Sequence, residues 1–133
     1  MAEKKNNKQI IMHHRKNLGV HLITEFWGAK IIEDVKKLER VLVLSAKKAG
    51  STPLKFSVHK FSPHGITATL LLAESHIAFH SWPEFNYLAI DVFTCGESVV
   101  PERAIEYLKK IFLPKKVEIS KILRGKLQKN LIS

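Results

Sequence analysis

Ile66-Thr67-Ala68-Thr69-Leu70-Leu71-Leu72-Ala73-Glu74-Ser75-His76-Ile77-Ala78-Phe79-His80-Ser81-Trp82 is the stretch that decides how this chain folds. Its apolar and β-branched residues read as two short strands, 66–73 and 76–82, meeting at Glu74-Ser75. On either side, 87–93 reads as a third strand, and 56–61 as a fourth, set off by Pro63-His64-Gly65. Four short strands so closely spaced predict an antiparallel meander. Alternate residues of a strand face opposite sides, so His76, Ala78, His80 and Trp82 share one face, and Ser75, Ile77 and Phe79 the other. Ser75 and His80 therefore face apart unless the chain bends or opens near Glu74-Ser75.

Further out, Leu18–Trp27 is rich in β-formers and closed by Gly28, which predicts another strand. Ile31, Val35, Leu38, Leu42 and Ala49 recur at helical spacing among Lys and Glu, predicting an amphipathic helix over 31–49 that ends at Gly50. Pro101 suits a first helical position, and Ala104, Ile105, Leu108 and Phe112 repeat at helical intervals up to Pro114. Val117–Leu123 reads as a last strand. The expected fold is α+β: a two-layer sandwich of a mainly antiparallel sheet with both helices on one face. The expected layout is a disordered basic arm over 1–16, a single domain over 17–123 and a basic tail over 124–133.

With 133 residues, 45% of them hydrophobic, the chain can build one core but not two ordinary domains. It contains no run of about 18 apolar residues and no signal-like apolar stretch near the start, so a cytoplasmic protein without a membrane segment is expected. Cys95 is the sole cysteine, so a disulfide within one chain is impossible. The net charge of +10 is concentrated at the ends: residues 1–16 hold five Lys or Arg against one Glu, and 109–133 hold eight against Glu118. Solvated basic ends explain this without specific nucleic-acid binding. His76 and His80 have the i, i+4 spacing of zinc ligands on a helix, but on a strand they stand about 13 Å apart, too far for one metal ion. A serine hydrolase is disfavoured because Ser75 lacks the G-x-S-x-G elbow. Residues alone leave open a plain sheet with core histidines and a buried thiol.

The block Ala73-Glu74-Ser75-His76-Ile77-Ala78-Phe79-His80-Ser81-Trp82-Pro83-Glu84, followed by Asp91-Val92-Phe93-Thr94-Cys95-Gly96-Glu97, resembles the signature of the prokaryotic S-adenosylmethionine decarboxylases, which are pyruvoyl-dependent. Gly19-Val20-His21-Leu22 and Phe61-x-Pro63-His64-Gly65 extend the resemblance over roughly 17–113. It implies a proenzyme that cuts itself between Glu74 and Ser75. The serine hydroxyl attacks the preceding carbonyl to form an ester, and elimination leaves a pyruvoyl group derived from Ser75. His80 matches the family's processing base, and an imidazole titrating near neutrality suits that task. The family uses a further small hydroxyl to stabilise the tetrahedral intermediate, and Thr67 stands where it commonly has Ser, keeping that hydroxyl with an added methyl. The mature ketone reacts with the substrate amine and serves as an electron sink for decarboxylation. Cys95 matches the proton donor of turnover, Phe61 the ring that stacks on adenine, and Glu84 the carboxylate that binds ribose hydroxyls. Trp82 and Pro83 are read as packing and turn, and His76 as structural.

The resemblance thus implies conversion of S-adenosylmethionine to its decarboxylated form for spermidine synthesis, in a homodimer whose two protomers can both line a site. Pyruvoyl chemistry on arginine or ornithine is one alternative. A non-enzymatic polyanion-binding module on the same fold is another, and it predicts an uncut chain.

Overall fold

The computed structural model describes residues 16–131, so the arm expected over 1–16 lies outside the described residues except for Lys16. The β-rich segments form six strands: β1 (Asn17–Trp27), β2 (Pro53–Lys60), β3 (Ile66–Leu72), β4 (His76–Trp82), β5 (Tyr87–Cys95) and β6 (Lys116–Lys126). They make one antiparallel sheet in the order β2-β3-β4-β5-β1-β6. The expected meander is its run of four strands from β2 to β5. Helix α1 (Val35–Lys48) lies between β1 and β2, and α2 (Pro101–Phe112) between β5 and β6.

Period-2 patterning decides which face of the sheet is covered. Leu22, Phe26, Ile66, Leu70, Ile77, Phe79, Leu88, Ile90 and Val92 alternate along their strands and are buried. They share one core with the helical stripes Leu38, Leu42 and Ala46 of α1 and Ala104, Ile105, Leu108 and Phe112 of α2. The two helices therefore cover one face, as the sandwich reading requires. The opposite face carries His21, Thr67, His76, His80, Tyr87, Asp91 and Phe93, all only partly buried.

Two boundaries differ from expectation. Helix α1 starts at Val35, because Asp34 sits in extended conformation and its carboxylate accepts the Lys37 amide at 2.9 Å. That cap satisfies an otherwise unpaired first-turn N–H and fixes the start, leaving Ile31 and Ile32 to pack from a connecting segment. Residues 124–126 belong to β6 rather than to a tail, since Asn17 of β1 is paired with Lys126 and Leu127 N donates to Lys16 O at 3.0 Å. A single 3₁₀ turn, Lys129–Leu131, follows. β6 is an edge strand exposed over almost its whole length, and its Lys116, Lys121, Arg124 and Lys126 suit an edge protected from further pairing.

Candidate active site

The turn between β3 and β4 is closed by Leu72 and Ser75: Leu72 N donates to Ser75 O at 2.9 Å and Ser75 N to Leu72 O at 3.2 Å. Ala73 and Glu74 form its tip. Thr52 holds that tip with its amide and hydroxyl, which donate to the two Glu74 carboxylate oxygens at 2.9 and 3.2 Å, and with its carbonyl, which accepts from Ala73 N at 2.9 Å. The Glu74 carbonyl is engaged separately, accepting from the Cys95 thiol at 2.7 Å. Cys95 ends β5 and is exposed, so it is not the buried structural thiol left open by the sequence. Ser75 Oγ lies 3.4 Å from His76 Nδ1. A hydroxyl, an imidazole and a thiol thus meet around the Glu74-Ser75 bond.

His76 belongs to a polar and aromatic cluster on the open face. Its ring meets Phe93 edge-on at 5.7 Å and His21 at 6.5 Å between centroids, and His21 Nε2 is 3.7 Å from Asp91 Oδ2. Arg124 lies over the Phe93 ring at 5.2 Å. Burial depresses the His76 pKa below the usual imidazole value and His21 adds to the effect, while Asp91 opposes them. A depressed pKa keeps this ring neutral near pH 7.

A second cluster sits toward the other end of β3 and β4. Thr67 and His80 are register partners there, with Thr67 Oγ1 3.2 Å from His80 Nδ1. Beyond them, His64 Nε2 is 2.6 Å from Glu84 Oε2, joining the β2–β3 turn to the 3₁₀ turn Pro83–Phe85. The Glu84 carboxyl is held below its ordinary pKa by hydrogen bonding to its own backbone and then to His64. Phe61 is 49% exposed, which rules out a core phenylalanine, and His59 meets it edge-on at 4.5 Å. Trp82 is exposed on the open face beside His80 and Tyr87 rather than packed in the core.

The seven residues expected to act together therefore fall into two groups on one protomer. Glu74, Ser75 and Cys95 stand at one end of the strands, and Thr67, His80, Phe61 and Glu84 toward the other. Ser75 and His80 are five positions apart on extended chain, about 16 Å, so neither reaches the other directly. Sequence reasoning missed Thr52 altogether and, although His64 stands in a quoted motif, missed its contact with Glu84. Both partners are more than 15 positions away in sequence, so neither contact leaves a local signal.

An open-faced antiparallel sheet that presents a Glu-Ser junction beside a thiol fits decarboxylases made as proenzymes. Residues 20–125 match the family described as S-adenosylmethionine decarboxylase. The chain is 46% identical over 112 residues to the S-adenosylmethionine decarboxylase proenzyme of Methanococcus vannielii, covering 83% of this chain and 92% of that one. It is 40% identical over 113 residues to the proenzyme of Thermosipho melanesiensis, covering 84% and 87%. The crystal structure of the adenosylmethionine decarboxylase from Aquifex aeolicus superposes with a TM-score of 0.79 at 32% identity, covering 86% of this chain and 97% of that one. The chain belongs to the S-adenosylmethionine decarboxylase family, an enzyme family. The arginine, ornithine and non-enzymatic alternatives find no support among these relatives.

Proposed function

We propose that this chain cuts itself between Glu74 and Ser75, turns Ser75 into a pyruvoyl group and then decarboxylates S-adenosylmethionine at sites shared between two protomers. The observation that carries the proposal is the thiol of Cys95 on the carbonyl of Glu74 at 2.7 Å, because it puts an acidic hydrogen beside the carbon that Ser75 must attack. A Glu-Ser junction at a tight, pinned turn next to a thiol fits the group the family uses. Once formed, that group supplies a ketone for the substrate amine and an electron sink for the electrons released with carbon dioxide. Cys95 then returns a proton to the substrate carbon. Phe61 offers a π-face to adenine, and Glu84 offers an acceptor to ribose hydroxyls.

Dimerisation supplies what one protomer lacks. A base must come within hydrogen-bond reach of its proton, yet His80 is about 16 Å along the strand from Ser75. Two copies packed open face to open face, with strands running in opposite senses about a twofold axis, would set Thr67, His80, Phe61 and Glu84 of one against Ser75 and Cys95 of its partner. Phe93, Tyr87, Trp82 and Trp27 on that face give such a contact apolar area. The cytoplasm, as a reducing compartment, suits a working thiol.

Two experiments test this reading. Carbon dioxide release from S-adenosylmethionine, arginine and ornithine at equal concentration should favour the first strongly, and preference for a basic amino acid would overturn the substrate. Co-expression of Ser75→Ala and His80→Ala chains should restore cleavage of the His80→Ala chain, because each mixed dimer then holds one complete site. No cleavage in the mixed dimer would refute the shared site.

A further inference from the structure

The first step of self-cleavage needs a group that takes the Ser75 hydroxyl proton, and the assignments above leave that position unfilled. His80 is the processing base of the elimination, and it lies far from Ser75 within a protomer. His76, read from sequence as structural, is next to the hydroxyl: Ser75 Oγ to His76 Nδ1 is 3.4 Å. The distance is long for a hydrogen bond, as such contacts often are before the reacting geometry is reached. The remaining parts of an acyl shift surround it. The Glu74 carbonyl is held by the Cys95 thiol, and the Glu74 side chain is fixed by Thr52. The His76 ring is fixed in turn by Phe93 and His21.

We propose that His76 is the catalytic base of ester formation, the step that precedes the elimination served by His80. The inference rests on the self-cleavage reading and deepens it. As Oγ bonds to the Glu74 carbonyl carbon, its proton passes to Nδ1 of the neutral His76 ring, and the oxyanion accepts a hydrogen bond from Cys95. Collapse breaks the carbon–nitrogen bond, and the proton moves from His76 to the departing Ser75 nitrogen. The product is an ester between Glu74 and Ser75 with a free amine, an isomer of the starting chain. No atom or electron is gained or lost. Burial and the neighbouring His21 favour the neutral ring this requires, against the opposing charge of Asp91. His80 then acts on the α-proton of Ser75, a different atom at a later step.

The two histidines can be separated by the order in which their losses take effect. Full-length wild-type, His76→Ala, His80→Ala and doubly substituted chains would be purified and followed by intact mass, with and without hydroxylamine, which cuts esters but not amides. His80→Ala should build up an ester and be cut by hydroxylamine. His76→Ala should stay whole with or without it, slowed about 10²–10⁴-fold, the usual contribution of a general base, and the double variant should behave like His76→Ala. His76→Gln, close in size but unable to take the proton, guards against a folding defect: it should be as slow as His76→Ala while keeping the wild-type melting temperature. Added imidazole should restore cleavage of His76→Ala. Wild-type rates in either His76 variant, or ester in the double variant at the His80→Ala rate, would overturn the role of His76. A wild-type chain that never cleaves would instead remove the self-cleavage reading itself, and this inference with it.

Discussion

Cys95 Sγ donates to the carbonyl oxygen of Glu74 across 2.7 Å, joining the end of β5 to the tip of the β3–β4 turn. The register puts the thiol there: His76 is paired with Phe93, so continuing both strands toward the turn brings Glu74 and Cys95 together. Before cleavage the thiol can stabilise negative charge on that oxygen, and under the proposed function the same group protonates substrate afterwards. Cys95→Ala should therefore fold normally and still cleave, slowed by roughly 10-fold, less than the 10²–10³ lost with a strong oxyanion donor because a thiol donates weakly. Its processed form should turn over far more slowly than wild type. Cleavage half-time and carbon dioxide release on one preparation check both halves, and normal turnover would remove the assigned role.

Thr52 holds the same turn tip through the Glu74 carboxylate and the Ala73 amide. Thr52→Val loses the hydroxyl bond to Glu74 but keeps the backbone donor. A hydrogen bond to a charged group contributes about 1.5–3 kcal/mol at most, and this one is exposed, so melting should barely change. The cleavage half-time should lengthen several-fold because the turn tip becomes looser. An unchanged half-time would show that Thr52 does not position the bond.

The contact between His64 and Glu84 makes a prediction about pH. Bonding to its own backbone and to His64 holds the Glu84 carboxyl below its ordinary pKa, so it stays ionised to lower pH than a free glutamate. Removing His64 lets that pKa rise, and protonation of Glu84 then begins at higher pH. Glu33 holds the residue next to His64, its carboxylate accepting the Gly65 amide at 3.2 Å. For His64→Ala, KM for S-adenosylmethionine should start to climb at a higher pH on the acid side than in wild type, with kcat little affected at neutral pH. Superimposable KM profiles would mean that His64 does not tune Glu84.

Much of this architecture is legible in the sequence, and the failures have physical causes. β4 is bounded as read, because His76–Trp82 alternates buried and half-buried residues between two turns. The start of α1 was missed because Ile31 and Ile32 continue the apolar spacing, whereas Asp34, a cap residue, sets the boundary. The end of β6 was missed because Arg124-Gly125-Lys126 reads as solvated tail by composition, yet an edge strand tolerates that composition. Ser75, Cys95, Thr67 and His80 could be picked out by family motif. Their division between two ends of the sheet could not, since strand spacing gives distances along one strand but not the face that a second copy covers.

Stability should depend on the aromatic contact beneath the sheet. Phe79 is fully buried on β4 and meets Phe112 of α2 at 5.7 Å between ring centroids. Phe79→Ala should cost about 3–5 kcal/mol through lost burial and the cavity left behind, a large share of the stability of a domain this size. Denaturant unfolding of the uncleavable Ser75→Ala chain, with and without the substitution, measures this without interference from cleavage. A loss below about 1 kcal/mol, the middle of the range for ordinary substitutions, would contradict the packing described.

Intact mass of purified wild-type and Ser75→Ala protein shows whether the chain cuts itself at Glu74-Ser75. The wild-type chain should resolve into two fragments, residues 1–74 and 75–133, the second beginning with a pyruvoyl group in place of serine and lacking its amine. Ser75→Ala should remain a single chain. A wild-type protein that stays whole after prolonged incubation, indistinguishable in behaviour from Ser75→Ala, would contradict the account.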